Sequence, residues 1–249
     1  MRMTAALVLL TLAWSGSATA QEWAPFTTVE DGFTINFPGQ PRVTQTTWQS
    51  QLGFVLPARV YSAERGSERY SITVVDYSGI EQLGIERAKT CPPGNANCRA
   101  SAPPALGPGY SRHDERGALL FATEKLLNRN ATMTELAWDW QDMVEGHVIH
   151  LTNTADQSRT YAYVAMHRHK LYIVEGTVPK GSPEPGLFQQ SLGWIDKDGR
   201  GIRYENVVYS NAYHGMGVYA VPPHVVPEGG PAGDAVPAGG GVATGGSAR

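Results

Sequence analysis

Apolar side chains recur at every second residue through much of this chain, and that period leaves it few ways to fold. Phe33, Ile35 and Phe37 alternate with Thr34 and Asn36, as in a strand that buries one face. Residues 54–61 and 70–77 are rich in Val, Ile, Tyr and Thr, and Arg65-Gly66-Ser67 between them reads as a hairpin turn. Four more strands are predicted over 133–140, 146–152, 159–166 and 170–177. In the third of these, Tyr161, Tyr163 and Ala165 share one face, and Ala162, Val164 and Met166 share the other. Residues 161–174 read as a hairpin with its tip at His167 to Lys170.

Helical spacing is rarer. Over 113–128, Ala118, Leu119, Phe121, Ala122, Leu126 and Leu127 make a broad apolar face, with His113-Asp114 as its start and residues 128–130 as its stop. A helix over 185–194 would turn Leu187, Phe188, Leu192 and Trp194 inward, residues 80–88 read as a loop or short helical turn, and 202–208 read as an edge strand. The class is α+β: an antiparallel sheet flanked by two or three helices.

The first twenty residues set the compartment. Arg2 precedes an apolar run over 5–14, and Ala18-Thr19-Ala20 closes it. This is the order of a secretory signal peptide cut before Gln21; the run is shorter than the roughly 20 residues a membrane span needs. Nothing later is long and apolar enough to span, so no transmembrane segment is expected. The chain therefore divides into a signal peptide (1–20), an α+β domain (21–204) and a Gly/Pro-rich, largely disordered tail (205–249), and it works in the periplasm or outside the cell. In that oxidising setting Cys91 and Cys98, within CPPGNANC, are expected to form a disulfide. It would staple a Pro-rich loop over 79–111; a redox pair would instead carry the C-x-x-C spacing. Formal net charge is −3 with no clustered Lys/Arg stripe, which excludes a nucleic-acid partner.

The run Glu30-Asp31-Gly32-Phe33-Thr34-Ile35-Asn36-Phe37-Pro38-Gly39-Gln40-Pro41 resembles the opening strand of exported bacterial proteins of unknown function with a PsbP-like domain. The Tyr-rich hairpin and Leu187-Phe188-Gln189-Gln190-Ser191-Leu192 are similar as well. The resemblance spans residue 23 to about 196. It implies an antiparallel sheet with flanking helices and a binding role; its motif carries no reactive group.

Candidate sites follow from the remaining residue types. His147 and His150, three apart on a strand, point to opposite faces, whereas His167 and His169 share one and are the candidate metal pair. Third ligands for them would be His214 or Asp156. Trp138 and Trp140 share a strand face and make either an aromatic ligand platform or core against a helix; the usual burial of large aromatics favours core. Residues 215–220 spell G-x-G-x-x-A, but Pro222-Pro223 preclude the helix that a dinucleotide site requires. No G-x-S-x-G, H-E-x-x-H or P-loop is present, and no cofactor is implied. The expectation is a non-catalytic binding or accessory module for an unknown envelope protein or small ligand. The alternatives are a metal-binding protein or metal-dependent enzyme using the histidines, and an envelope structural protein tethered by its tail.

Intact mass of the exported protein under non-reducing conditions checks two of these expectations at once. The mass should begin at Gln21 and be lighter by two hydrogens for the Cys91–Cys98 bond; retained residues 1–20, or two free thiols, would contradict them.

Overall fold

The alternating segments close into two antiparallel sheets. A computed structural model of the chain describes residues 22–90 and 110–204, Tyr209 and residues 224–225. In chain order its elements are β1 (Trp23–Thr28), β2 (Phe33–Pro38), β3 (Arg42–Gln49), β4 (Val55–Arg65), β5 (Glu68–Asp76), α1 (Ile80–Lys89), α2 (Tyr110–Leu127), β6 (Ala131–Gln141), β7 (Val144–Asn153), β8 (Arg159–His167), β9 (Lys170–Val178), α3 (Gly186–Gln189), β10 (Gly193–Trp194), β11 (Ile202–Arg203) and β12 (His224–Val225). The main sheet has seven strands in the order β3-β4-β5-β9-β8-β7-β6, each antiparallel to its neighbours. A smaller sheet runs β1-β2-β10, and β11 pairs with β12.

Both faces of the main sheet are covered over its central strands. On one, α2 lays the small side chains Ala118 and Ala122, and then Leu126, against Ile149, Leu151, Ala162 and Val164. On the other, Phe33, Ile35 and Phe37 of β2 pack with Phe188 and Trp194 on Tyr61, Tyr70, Tyr163 and Tyr172. The central strand β8 is consequently buried on both faces: Ala162, Val164 and Met166 meet the helical layer, and Tyr163 and Ala165 the small sheet. Among the described residues no helix is long and apolar enough to cross a membrane.

Several expectations need correction. The helix over 185–194 is a single turn, Gly186–Gln189, after which Gly193–Trp194 pairs with β2 as a strand. Phe188, Leu192 and Trp194 are buried as expected, but Leu187 faces solvent. Residues 80–89 form the helix α1 rather than the start of a long loop. β1 and β3 carry no clean apolar alternation, because β3 is an edge strand with exposed Thr and Gln side chains, so the sequence pattern passes over them. The second, smaller sheet is therefore a finding of the structure. The signal peptide, Cys91, Cys98 and residues 91–109 lie outside the described residues, as does most of 205–249. Two described points of that last segment touch the domain: Tyr209 bridges to Val144, and His224–Val225 pair with Ile202–Arg203.

The turn from β1 to β2 holds the small sheet to the large one. Asp31 there is 1% exposed. Its carboxylate accepts from Arg59 Nε and Nη2 (2.6 Å each), Tyr61 Oη (2.6 Å) and Lys170 Nζ (2.9 Å). Its carbonyl accepts from Tyr172 Oη (2.7 Å). Gly32, at φ +69°, supplies the left-handed residue that lets the chain turn here. Burial alone would raise the Asp31 pKa, but the hydrogen bonds from Arg59, Tyr61 and Lys170 overcome it and hold the carboxyl at about 2, against an ordinary 3.8.

A carboxyl whose pKa is lowered on folding stabilises the fold above its unfolded pKa and loses that contribution as pH falls through the folded one. The Asp31 contribution, roughly 2 kcal/mol, is thus complete above about pH 4 and lost towards pH 2. Asp31→Asn is expected to cost about 3 kcal/mol at neutral pH and to flatten the acid limb of stability below pH 4, measured by urea melts. An unchanged midpoint would show that the clamp is dispensable.

Candidate functional site

Edge strand β6 carries an apolar stripe on the face that α2 covers elsewhere. Leu136 lies opposite Ile149, Trp138 opposite His147 and Trp140 opposite Glu145, while Met133 lies opposite Leu151 across a bulge at Met133/Glu135. Partners of one antiparallel ladder share a face, and Ile149 and Leu151 belong to the helix-side core. The bulge therefore keeps Met133 in line with Leu136, Trp138 and Trp140. All four are exposed: 49%, 47%, 55% and 46%. The expectation that the tryptophans are core is overturned. α2 packs chiefly on β8, β7 and β9, so the face of β6 that would have been covered is left about half open.

The two rings support each other. Their centroids are 5.3 Å apart with planes at 61°, an edge-to-face arrangement, and Trp138 Nε1 donates to Glu145 Oε2 (3.2 Å). The β6–β7 hairpin beneath them is held at its tip. Asp142 and Met143 both take positive φ, as a two-residue hairpin requires. Tyr163 Oη donates to Val144 O (2.5 Å) and accepts from Gln141 N–H (3.2 Å), and Trp194 Nε1 donates to Gln141 O (3.0 Å). Gly146 leaves the space that the Tyr163 ring occupies. The stripe thus rests on a rigid frame.

Between the stripe and α2 lies a groove of about 450 Å³, lined by Leu120, Thr123, Leu127, Leu136, Trp138 and His147. Thr123 Oγ1 donates to Leu119 O (2.9 Å) and meets His147 Nδ1 at 2.9 Å. Its single proton is spent on the carbonyl, so His147 donates from Nδ1 and keeps Nε2 as the acceptor. Burial lowers the His147 pKa and keeps the ring neutral.

The histidine pair of the sequence reading is separated. His167 ends β8 and is 1% exposed, with Nε2 2.6 Å from Tyr204 Oη and its ring against Trp194 and Tyr209. His169 lies in the turn, and its Nδ1 is 2.7 Å from Glu115 Oε1. Burial pushes the His167 pKa down to about 3, while the Glu115 hydrogen bond raises that of His169. The reason is the two-residue turn: Arg168 and His169 both adopt positive φ, so strand alternation ends at His167. His147 and His150 do face opposite ways, His147 towards α2 and His150 towards Tyr161. Asp156 is engaged by Ser158, and His214 lies outside the described residues. Among the described residues no three His, Cys, Asp or Glu side chains converge as a metal-holding group.

A larger bowl of about 560 Å³ opens past the end of α2. Its polar groups answer one another: Arg129 pairs with Glu175 through both guanidinium nitrogens, Asn153 donates to Ser158 and Thr160, and Thr160 bonds Thr177. The bowl is lined largely by these mutually bonded polar groups, whereas the stripe's apolar side chains are about half open to water.

No protein-family model and no curated protein matches the chain. Among solved structures it is similar to the solution structure of cyanobacterial PsbP (CyanoP) from Synechocystis sp. PCC 6803. The likeness has 12% identity over 68% of this chain and 87% of that one, with a TM-score of 0.31. This is a weak resemblance of fold, and no functional argument follows from it.

The buried His167 generates a test. Below the ordinary histidine pKa of 6.5 the unfolded chain takes up a proton that the folded ring refuses down to about pH 3, so stability falls as pH drops through that window. The loss over the whole window is on the order of 5 kcal/mol. His167→Gln, which keeps a partner for Tyr204, is expected to be less stable at pH 7 and to show a shallower decline to pH 4 in urea melts; parallel declines would contradict the assignment.

Proposed function

We propose that this chain is an exported, non-catalytic binding or accessory module that holds a partner of the cell envelope against the apolar stripe of β6. The observation that carries this reading is the alignment of Met133, Leu136, Trp138 and Trp140, all exposed, on one face of an edge strand. Monomeric proteins seldom leave so many large apolar groups in a row to water, and tryptophans on a rigid frame are the residues from which protein interfaces draw most of their energy. Covering the open half of each tryptophan, roughly 100 Å², would contribute about 2 kcal/mol per ring. Location rests on the signal-peptide pattern of residues 1–20.

Site-specific photo-cross-linking in the native host tests the reading. A photoreactive residue in place of Leu120, at the groove's outer wall, is expected to give a discrete protein adduct. The same residue in place of Val43, on the opposite edge strand, should give none. Trp138→Ser with Trp140→Ser should remove the adduct and leave the melting temperature within a few degrees, since both rings are half exposed. Adducts equal at both positions, or indifferent to the tryptophans, would overturn it.

A further inference from the structure

We infer that β6 accepts a further strand: an extended segment in which apolar residues alternate with lysine or arginine, hydrogen-bonded along its outer edge. This rests on the reading of the stripe as a binding face and adds the occupant's backbone geometry and charge.

The backbone argument comes from the sheet order. Among the described residues β6 ends the seven-stranded sheet, and β7 fills one of its edges. Gln141 and Val144 close the two-residue hairpin, so Gln141 points inward to β7. Strand alternation then turns the N–H and C=O groups of Leu136, Trp138 and Trp140 outward. The Trp140 N–H is taken by the neighbouring Asp139 Oδ1 (2.7 Å), which leaves Leu136 and Trp138 as the pairing register for an added strand. Proteins guard such an edge with a bulge, which β6 has only near its start at Met133/Glu135, or with Lys or Pro. β6 has neither Lys nor Pro over its eleven residues, whereas the opposite edge strand β3 presents Arg42 and a run of Thr and Gln.

The charge argument selects the occupant. β6 and β7 carry Glu135, Asp139 and Glu145 and no lysine or arginine, and Glu124 lies across the groove. Glu135, whose carboxylate lies 2.8 Å from His150 Nδ1 and is half exposed, and Asp139 point away from the tryptophan face, being at alternate positions. An added strand would therefore set its apolar residues beside Leu136, Trp138 and Trp140, and its cations beside Glu135 and Asp139. A second copy of this chain fits poorly in the register that uses Leu136 and Trp138, because antiparallel self-pairing about Ala137 would place Glu135 directly opposite Asp139. The chain's own residues 222–249 fit poorly too, as Pro222, Pro223, Pro227, Pro231 and Pro237 lack the N–H a ladder needs.

Three synthetic decapeptides test this on the full mature chain: alternating Val–Lys, alternating Val–Glu, and Val–Lys methylated at every second backbone nitrogen. Binding is read by tryptophan fluorescence, and strand addition by amide hydrogen exchange at Leu136 and Trp138. Val–Lys is expected to bind about tenfold or more tightly than Val–Glu and to slow exchange at both amides. N-methylation should abolish binding, and Glu135→Lys with Asp139→Lys should reverse the preference. Equal binding by the methylated peptide, or by Val–Glu, would overturn the inference. If the Leu120 adducts form while no peptide binds, the binding face stands and strand addition falls; if the adducts are absent too, both fall.

Discussion

The buried carboxylate of Asp31 is the interaction on which the arrangement of layers depends. One side chain in the β1–β2 turn gathers Arg59 and Tyr61 from β4 and Lys170 from β9, while Tyr172 holds its carbonyl. These donors come from strands that are not sheet neighbours, so the clamp fixes the small sheet at one place across three strands of the large one. Removing any donor would leave charge or a hydroxyl poorly paired in a partly dry setting, which costs more than the pair itself contributes. The Asp31-Gly32-Phe33 run of the opening motif is explained by this: the Asp clamps, the Gly turns, and the Phe begins the core of β2.

With the small sheet locked on one face and α2 on the other, the main sheet leaves its two edge strands, β3 and β6, to meet solvent. The edges differ. β3 is mostly Thr and Gln with a single well-exposed apolar residue, Val43, whereas β6 lines up four on one face. At 18 residues, or about 27 Å, α2 crosses the sheet over β7 to β9, and what it does not reach becomes the groove. The binding face is thus a consequence of how far one helix extends, and its rigidity comes from Tyr163 and Trp194 at the hairpin tip.

Much of the fold was legible from local pattern. The strands over 133–177, the hairpin at Gly66 and the helix ending near residue 127 all sit where period and turn chemistry put them, within a few residues at their ends. The misses share a cause. β1 and β3 are edge strands without a clean buried face, and Trp194 reads as helical because its pairing with β2 is non-local. His167 and His169 look like one face until two positive-φ residues end the strand between them.

The sequence by itself determined which side chains share a strand face and where the chain turns, because these depend on nearest neighbours and on φ/ψ preferences. It placed Trp138 and Trp140 side by side. Whether that side met a helix or water was decided only by the tertiary structure. Alternation states that a face is apolar, but covering it depends on strand order and on the reach of α2, and both are set by contacts between residues far apart in the chain.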